Sequence, residues 1–229
     1  RIPQRTRRFL LCSLVFLLQS AELRADRSGQ LAWPPPKLDS PKTITLTEGN
    51  DALDLDSRQD YILKMPSRKK AGHLRITGGR NVVLIGGWST MPAGRERGEV
   101  NFVILDKLDT IPGRIVHLEG VKIDGSGGGS SDAFRINAPK TIVQLENIRA
   151  TGIIFDTKIR QHSDLVQTGG GCQELRIDRF TGSSQFQGFY LAQDQGPNGR
   201  LDLRHVNLRG DGSRKIILLA IGGAINSPK

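Results

Sequence analysis

Aromatic residues are scarce in this 229-residue chain: two Trp, two Tyr and eight Phe, 5% in all. No stretch interleaves them with basic residues, which argues against the stacking platforms of single-strand nucleic-acid binders. Cysteine is scarcer still. Only Cys172 lies beyond residue 25, and one cysteine cannot close an internal disulfide. Stability must therefore come from packing, and Cys172 reads as a half-buried turn residue without chemistry. Helical periodicity is missing too. The nearest case, DALDLDSRQDYIL at 51–63, lasts two turns and reads equally well as two short strands. No nucleophile elbow, zinc-ligand spacing or sequential triad occurs. The glycine runs at 125–129 and 169–171 lack the Lys-Ser/Thr that a phosphate loop requires.

What is present begins with an N-terminal address. RIPQRTRR is a basic stretch, FLLCSLVFLL an apolar run of ten, and Ala21 and Ala25 offer small residues for cleavage. This is the layout of a secretory signal peptide over 1–25, and ten apolar residues are too few to cross a bilayer. The chain does not open with Met and ends without a stop feature, so a processed or C-terminally truncated copy is expected. LAWPPPKLDSPK closes a Pro-rich linker over 26–42, and the folded domain is expected over 43–229.

The net charge is +10, and residues 1–25 hold five Arg and one Glu, which leaves +6 for the rest. In an exported protein this basic bias points to acidic polysaccharide or anionic envelope surfaces rather than nucleic acid. A generic surface charge explains it equally well.

The repeats determine the expected fold. IVHLEGVKIDG (115–125), IVQLENIRATG (142–152), ELRIDRFTGSS (174–184) and RLDLRHVNLRG (200–210) share three apolar columns. These are Val116, Val143, Leu175, Leu201; then Leu118, Leu145, Ile177, Leu203; then Val121, Ile148, Phe180, Val206. The steps are 27, 32 and 26 residues, and HLRITGGRNVVLIGG at 73–87 is a degenerate earlier copy. A second series fits the same steps: DAFR (132–135), then DLVQ (164–167), then YLAQ (190–193). Repeats this short cannot bury an apolar side alone. Stacked in register about 4.8 Å apart, they give an all-β, right-handed, single-stranded parallel β-helix of about seven coils, its hand set by crossover preference. A β-sandwich is the alternative, but it would not need columns at matched steps.

On these columns, and on phrases such as ITGGRNVVLIGG and HSDLVQ, the chain over about 43–220 resembles the pectate-lyase-like superfamily of secreted β-helix proteins. The resemblance implies a polysaccharide ligand held on the outside of one sheet. It does not settle the activity, because the superfamily holds lyases, hydrolases, epimerases and non-catalytic proteins. The W-[IV]-D-H and R-x-P-x-x-R stretches of pectate lyases are missing, as are the N-T-D, D-D, G-H-G and R-I-K stretches of polygalacturonases. Neither mechanism transfers.

Two constellations remain. In the first, HSDLVQTGGG at 162–171 places His162 or Asp164 as a general base. Arg135, one coil earlier, would pair with a uronate carboxylate. Tyr190 would stack on a sugar ring, with Gln167 and Gln193 as further substrate contacts. Strand alternation puts Asp164 and Gln167 on opposite faces, so one of them must face inward or sit in a corner. The competing reading is an Asp that caps backbone amides and a glutamine ladder running along the stack. The second constellation is a column of outward carboxylates, Glu119, Glu146 and Asp178, followed by Arg204. Stacked carboxylates repel. Ca²⁺ held by oxygen ligands from adjacent coils would offset that, and so would Lys122, Arg149, Arg176 and Arg179 nearby. The expected protein is a secreted monomer that acts on or binds a polysaccharide as a lyase- or hydrolase-like enzyme. The alternative is a non-catalytic carbohydrate-binding or surface protein. No cofactor other than Ca²⁺ is expected.

Overall fold

The computed structural model describes residues 30–91, 100–127, 132–155, 163–191, 198–212 and 217–221. Two compact units divide the chain, 1–31 and 32–229, and the fold belongs to the second. All regular structure among the described residues is β-strand, and every strand pairing is parallel. The strands form three sheets wound as a parallel β-helix. Sheet I stacks β1 (Lys42–Thr45), β3 (Tyr61–Lys64), β6 (Asn81–Ile85), β9 (Arg114–Glu119), the end of β11 (Phe134–Glu146), the middle of β13 (Asp164–Ser184) and the start of β15 (Asn198–Gly210). Sheet II stacks β2 (Asp51–Leu55), β5 (Leu74–Gly78), β8 (Phe102–Leu105), the starts of β11 and β13, β14 (Gln187–Leu191) and β16 (Ile217–Ile221). Sheet III stacks β4 (Lys70–Ala71), β7 (Trp88–Thr90), β10 (Lys122–Asp124), β12 (Arg149–Ile153) and the ends of β13 and β15.

The apolar columns of sheet I hold residue for residue. Val82, Val116, Val143, Leu175 and Leu201 are successive partners, and so are Leu84, Leu118, Leu145, Ile177 and Leu203. They fill the interior, fully buried except at the last coil. Sheet II adds an aromatic ladder. Phe102 stacks on Phe134 with ring centres 5.2 Å apart, and Phe180 meets Phe134 at 6.3 Å and Phe189 at 5.0 Å edge-on. Cys172 is not a turn residue but lies buried within β13, and burial pushes its thiol up to about 12.

Sheet I turns into sheet III through one repeated device. Gly86, Gly120, Asn147, Arg179 and His205 each have positive φ, between 46° and 74°, and each immediately follows the last paired residue of its sheet I strand. A left-handed residue reverses the pleat, so the next side chain (Val121, Ile148, Phe180) enters the core. Only glycine and asparagine take this conformation at little cost. Asn147→Ala is therefore expected to cost about 1 kcal/mol and Asn147→Gly almost nothing. Urea titration of the two variants checks this, and equal losses would show that the side chain matters rather than the backbone.

Sheet II departs from the expected register. DAFR does lie against DLVQ, with Phe134 on Val166 and Arg135 on Gln167. The next coil, however, puts Gln187 on Asp164 and Tyr190 on Gln167, a step of 23 rather than 26. Tyr190 therefore continues the Arg135–Gln167 column, the place expected for Gln193. The reason lies in the corners. Six residues join Gln167 to Glu174, but nine join Tyr190 to Arg200. A corner absorbs length without disturbing either ladder, so the two sheets need not share steps.

Candidate functional site

The first constellation gathers at the leading edge and outer face of sheet II. His162 and Gln193 lie outside the described residues. Phe134 and Ile136 point into the core, which turns Arg135 outward, with 48% of its side chain exposed. Its Nη2 donates to Asp132 Oδ2 at 2.5 Å and its Nε to Gln167 Oε1 at 3.2 Å. Asp132 Oδ1 in turn accepts the Asp164 backbone N–H at 3.1 Å. A bend at Ala133 breaks strict alternation, so Ala133 and Phe134, and likewise Leu165 and Val166, are all buried. Asp164 is 0% exposed, and neither carboxyl oxygen has a hydrogen-bond partner among the described residues. Burial, then the charge of Asp132, pushes its carboxyl up to about 8, with Arg135 opposing. Asp164 and Gln167 thus differ in exposure: the carboxyl is enclosed, and the amide is half-buried.

Outward residues of sheet II form one continuous line across the coils: Ala52, Arg75, Val103, Arg135, Gln167 and Tyr190. A groove of about 700 Å³ opens at its lower end, between Arg75, Thr77 and the loop carrying Lys107 and Asp109. Lys107 Nζ closes onto Asp54 Oδ1 at 2.9 Å, and that contact raises its pKa. Arg75 was not among the expected site residues, because the repeat before residue 102 is degenerate in sequence.

The second constellation is a true column: Glu119, Glu146, Asp178 and Arg204 are successive partners. It lies on the outer side of sheet I, yet Glu146 is 0% and Asp178 1% exposed. The Pro-rich segment lies against this face. Trp33 N donates to Glu146 Oε1 at 2.8 Å, and the Arg204 guanidinium sits 4.5 Å from the Trp33 ring centre. Farther along, Asp39 N donates to Asp60 Oδ2 at 2.6 Å and Gln59 Nε2 to Ser40 O at 2.8 Å. Burial raises the Glu146 carboxyl above the usual range, the Trp33 N–H opposes, and Asp178 adds repulsion.

Of the cations nearest in sequence, Arg179 is the one within ion-pair reach of the column. Arg179 Nε stands 3.8 Å from Asp178 Oδ2, but Arg176 pairs with Glu174, Arg204 with Asp202, and Lys122 lies over Trp88. Two imidazole rings also reach the column. His205 Nδ1 is 2.5 Å from Asp178 Oδ1, while His117 sits between Gln144 Oε1 at 2.9 Å and Glu119 Oε2 at 3.4 Å. His205 reaches Asp178 from the left-handed turn of the next coil, a neighbour that strand alternation alone does not reveal. Among the described residues no three His, Cys, Asp or Glu side chains are grouped to hold a metal ion, and no helix is long and apolar enough to cross a membrane.

No protein-family model, curated protein or solved structure matches the chain.

Proposed function

We propose that this is a secreted β-helix protein, related to the pectate-lyase-like superfamily, that binds an acidic polysaccharide lengthwise along the outer face of sheet II. The observation that carries the reading is the outward-facing line Arg75–Val103–Arg135–Gln167–Tyr190, whose two arginines are exposed. Adjacent coils are about 4.8 Å apart, so the two guanidinium-bearing positions are separated by about 9.6 Å along the stack. Guanidinium groups pair bidentately with carboxylates. Gln167 offers an amide to hydroxyls, and the Tyr190 ring offers an apolar face to a sugar. The net charge and the basic-then-apolar N-terminus fit an exported partner for such a polymer.

Binding is favoured over catalysis because Asp164, the described candidate base, is enclosed. Arg75→Ala with Arg135→Ala is expected to weaken retention on a uronate-polymer affinity gel by roughly tenfold to a hundredfold per arginine, with little change on a neutral polymer. Equal retention of both proteins on both gels would refute the reading. One observation favours a catalytic version: the Asp164 carboxyl, pushed up to about 8 by burial and then by Asp132, stands beside a second carboxylate. Ultraviolet absorbance of unsaturated products, followed on uronate polymers with and without Ca²⁺, decides it. A flat trace on every polymer removes the lyase.

A further inference from the structure

Sheet III presents a third outer face, and its charge is poorly compensated. Trp88, Lys122 and Arg149 are successive partners on β7, β10 and β12, followed by Thr181 and Asn207. Lys69 precedes the β4 residue that pairs beside Trp88. Its ammonium lies 4.9 Å from the Trp88 ring centre, and that of Lys122 lies 4.1 Å from it. Trp88 remains 40% exposed, and Lys69, Lys122 and Arg149 are exposed. The parallel outward column, Thr90, Asp124 and Thr151, is short and polar. None of the three cations forms an ion pair among the described residues. Asp124 is the nearby acid: Ser126 holds its carboxyl below the usual range first, through a hydroxyl donating at 2.6 Å and a backbone N–H at 3.1 Å, and Lys122 and Lys69 lower it further by charge without closing an ion pair.

Like charges on neighbouring rungs repel. On sheet I the carboxylates have Arg179 and the Trp33 backbone N–H beside them. On sheet III the indole face offsets part of the repulsion between Lys69 and Lys122, but nothing similar stands at Arg149. Cations held in line at the spacing of the coils, on an open face, complement a chain bearing negative groups at short intervals. The strip lacks a broad apolar area: among the described residues of that coil, Ile85 is the large exposed aliphatic near Trp88 in sequence. That favours a hydrophilic polyanion over insertion into a lipid surface.

We infer that Lys69, Trp88, Lys122 and Arg149 form a second binding face for the same class of acidic polysaccharide, so that one molecule engages two polymer chains. The two-chain claim rests on the sheet II reading; the sheet III site does not. The test compares three proteins on polygalacturonate: the full chain, the triple variant Lys69→Gln, Lys122→Gln and Arg149→Gln, and the sheet II variant Arg75→Ala with Arg135→Ala. Affinity gels report binding, turbidity of the soluble polymer reports bridging, and thermal melting confirms that each variant folds. The triple variant is expected to stop bridging and to lose roughly a hundredfold in apparent gel affinity, the gain that two linked sites supply. The sheet II variant should also stop bridging while keeping salt-sensitive single-site binding. Loss of all binding in the triple variant alone would refute the sheet II reading and uphold the sheet III site. A folded triple variant that bridges and binds like the parent overturns the inference. So does a stripe-dependent pelleting with anionic phospholipid vesicles in a protein that ignores the polysaccharide.

Discussion

Asp164→Asn is expected to raise stability at about pH 8 and to remove most of the pH dependence of unfolding above about pH 4. The native carboxyl titrates at about 8 because it is buried beside Asp132, with Arg135 opposing, whereas in the unfolded chain it titrates at about 4. Between those values the native state keeps a proton that the unfolded state has released. Stability therefore falls as pH rises through this window, and levels off once both states are ionised. Four units correspond to about 5 kcal/mol as an upper limit, which rearrangement around the charge reduces to a few. An asparagine of the same shape carries no charge to bury, so its curve should be nearly flat there. Urea unfolding of both proteins at about pH 5 and about pH 8 is the measurement. A parent protein equally stable at both values would refute the assignment.

Phe180→Ala should be the most damaging single substitution in the core, at about 3–5 kcal/mol. Phe180 is the residue that the left-handed Arg179 turns inward, and it stands edge-on between Phe134 and Phe189. Its neighbours cannot close the gap, because they belong to ladders whose spacing is set by backbone hydrogen bonds. For a domain of this size the loss corresponds to a fall in melting temperature of about 10 °C. Thr181→Ala, one residue along on the outer side, should change little. A small loss at Phe180 would mean that the interior around Phe134 and Phe189 repacks freely.

The residues expected to act together were legible to different degrees. Glu119, Glu146 and Asp178 were placed correctly as a column because their steps match the apolar ladders beside them. Their burial was not legible: alternation tells which side of a strand a residue takes, but not that Trp33, more than a hundred residues away, lies over Glu146. The register expected for Tyr190 differs from the observed one by three residues, because nine residues join Tyr190 to Arg200 where six join Gln167 to Glu174 one coil earlier. The partners of Asp178 were missed for a related reason. His205 occupies a turn position, where a histidine gives no signal of left-handed backbone, although Gly86, Gly120 and Asn147 mark the same position on earlier coils.

By itself the sequence determined the all-β class, the parallel stacking and the inward columns of sheet I. A parallel ladder makes like positions coincide, and coincidence at repeated steps is visible in one dimension. The tertiary structure alone decided how sheet II is registered against sheet I, which polar columns are covered, and where charge stays open. Corners take up length independently of the ladders, and covering segments arrive from remote parts of the chain. As a result, Glu146 is enclosed beneath Trp33, while the arginines of sheet II and the cations around Trp88 face outward.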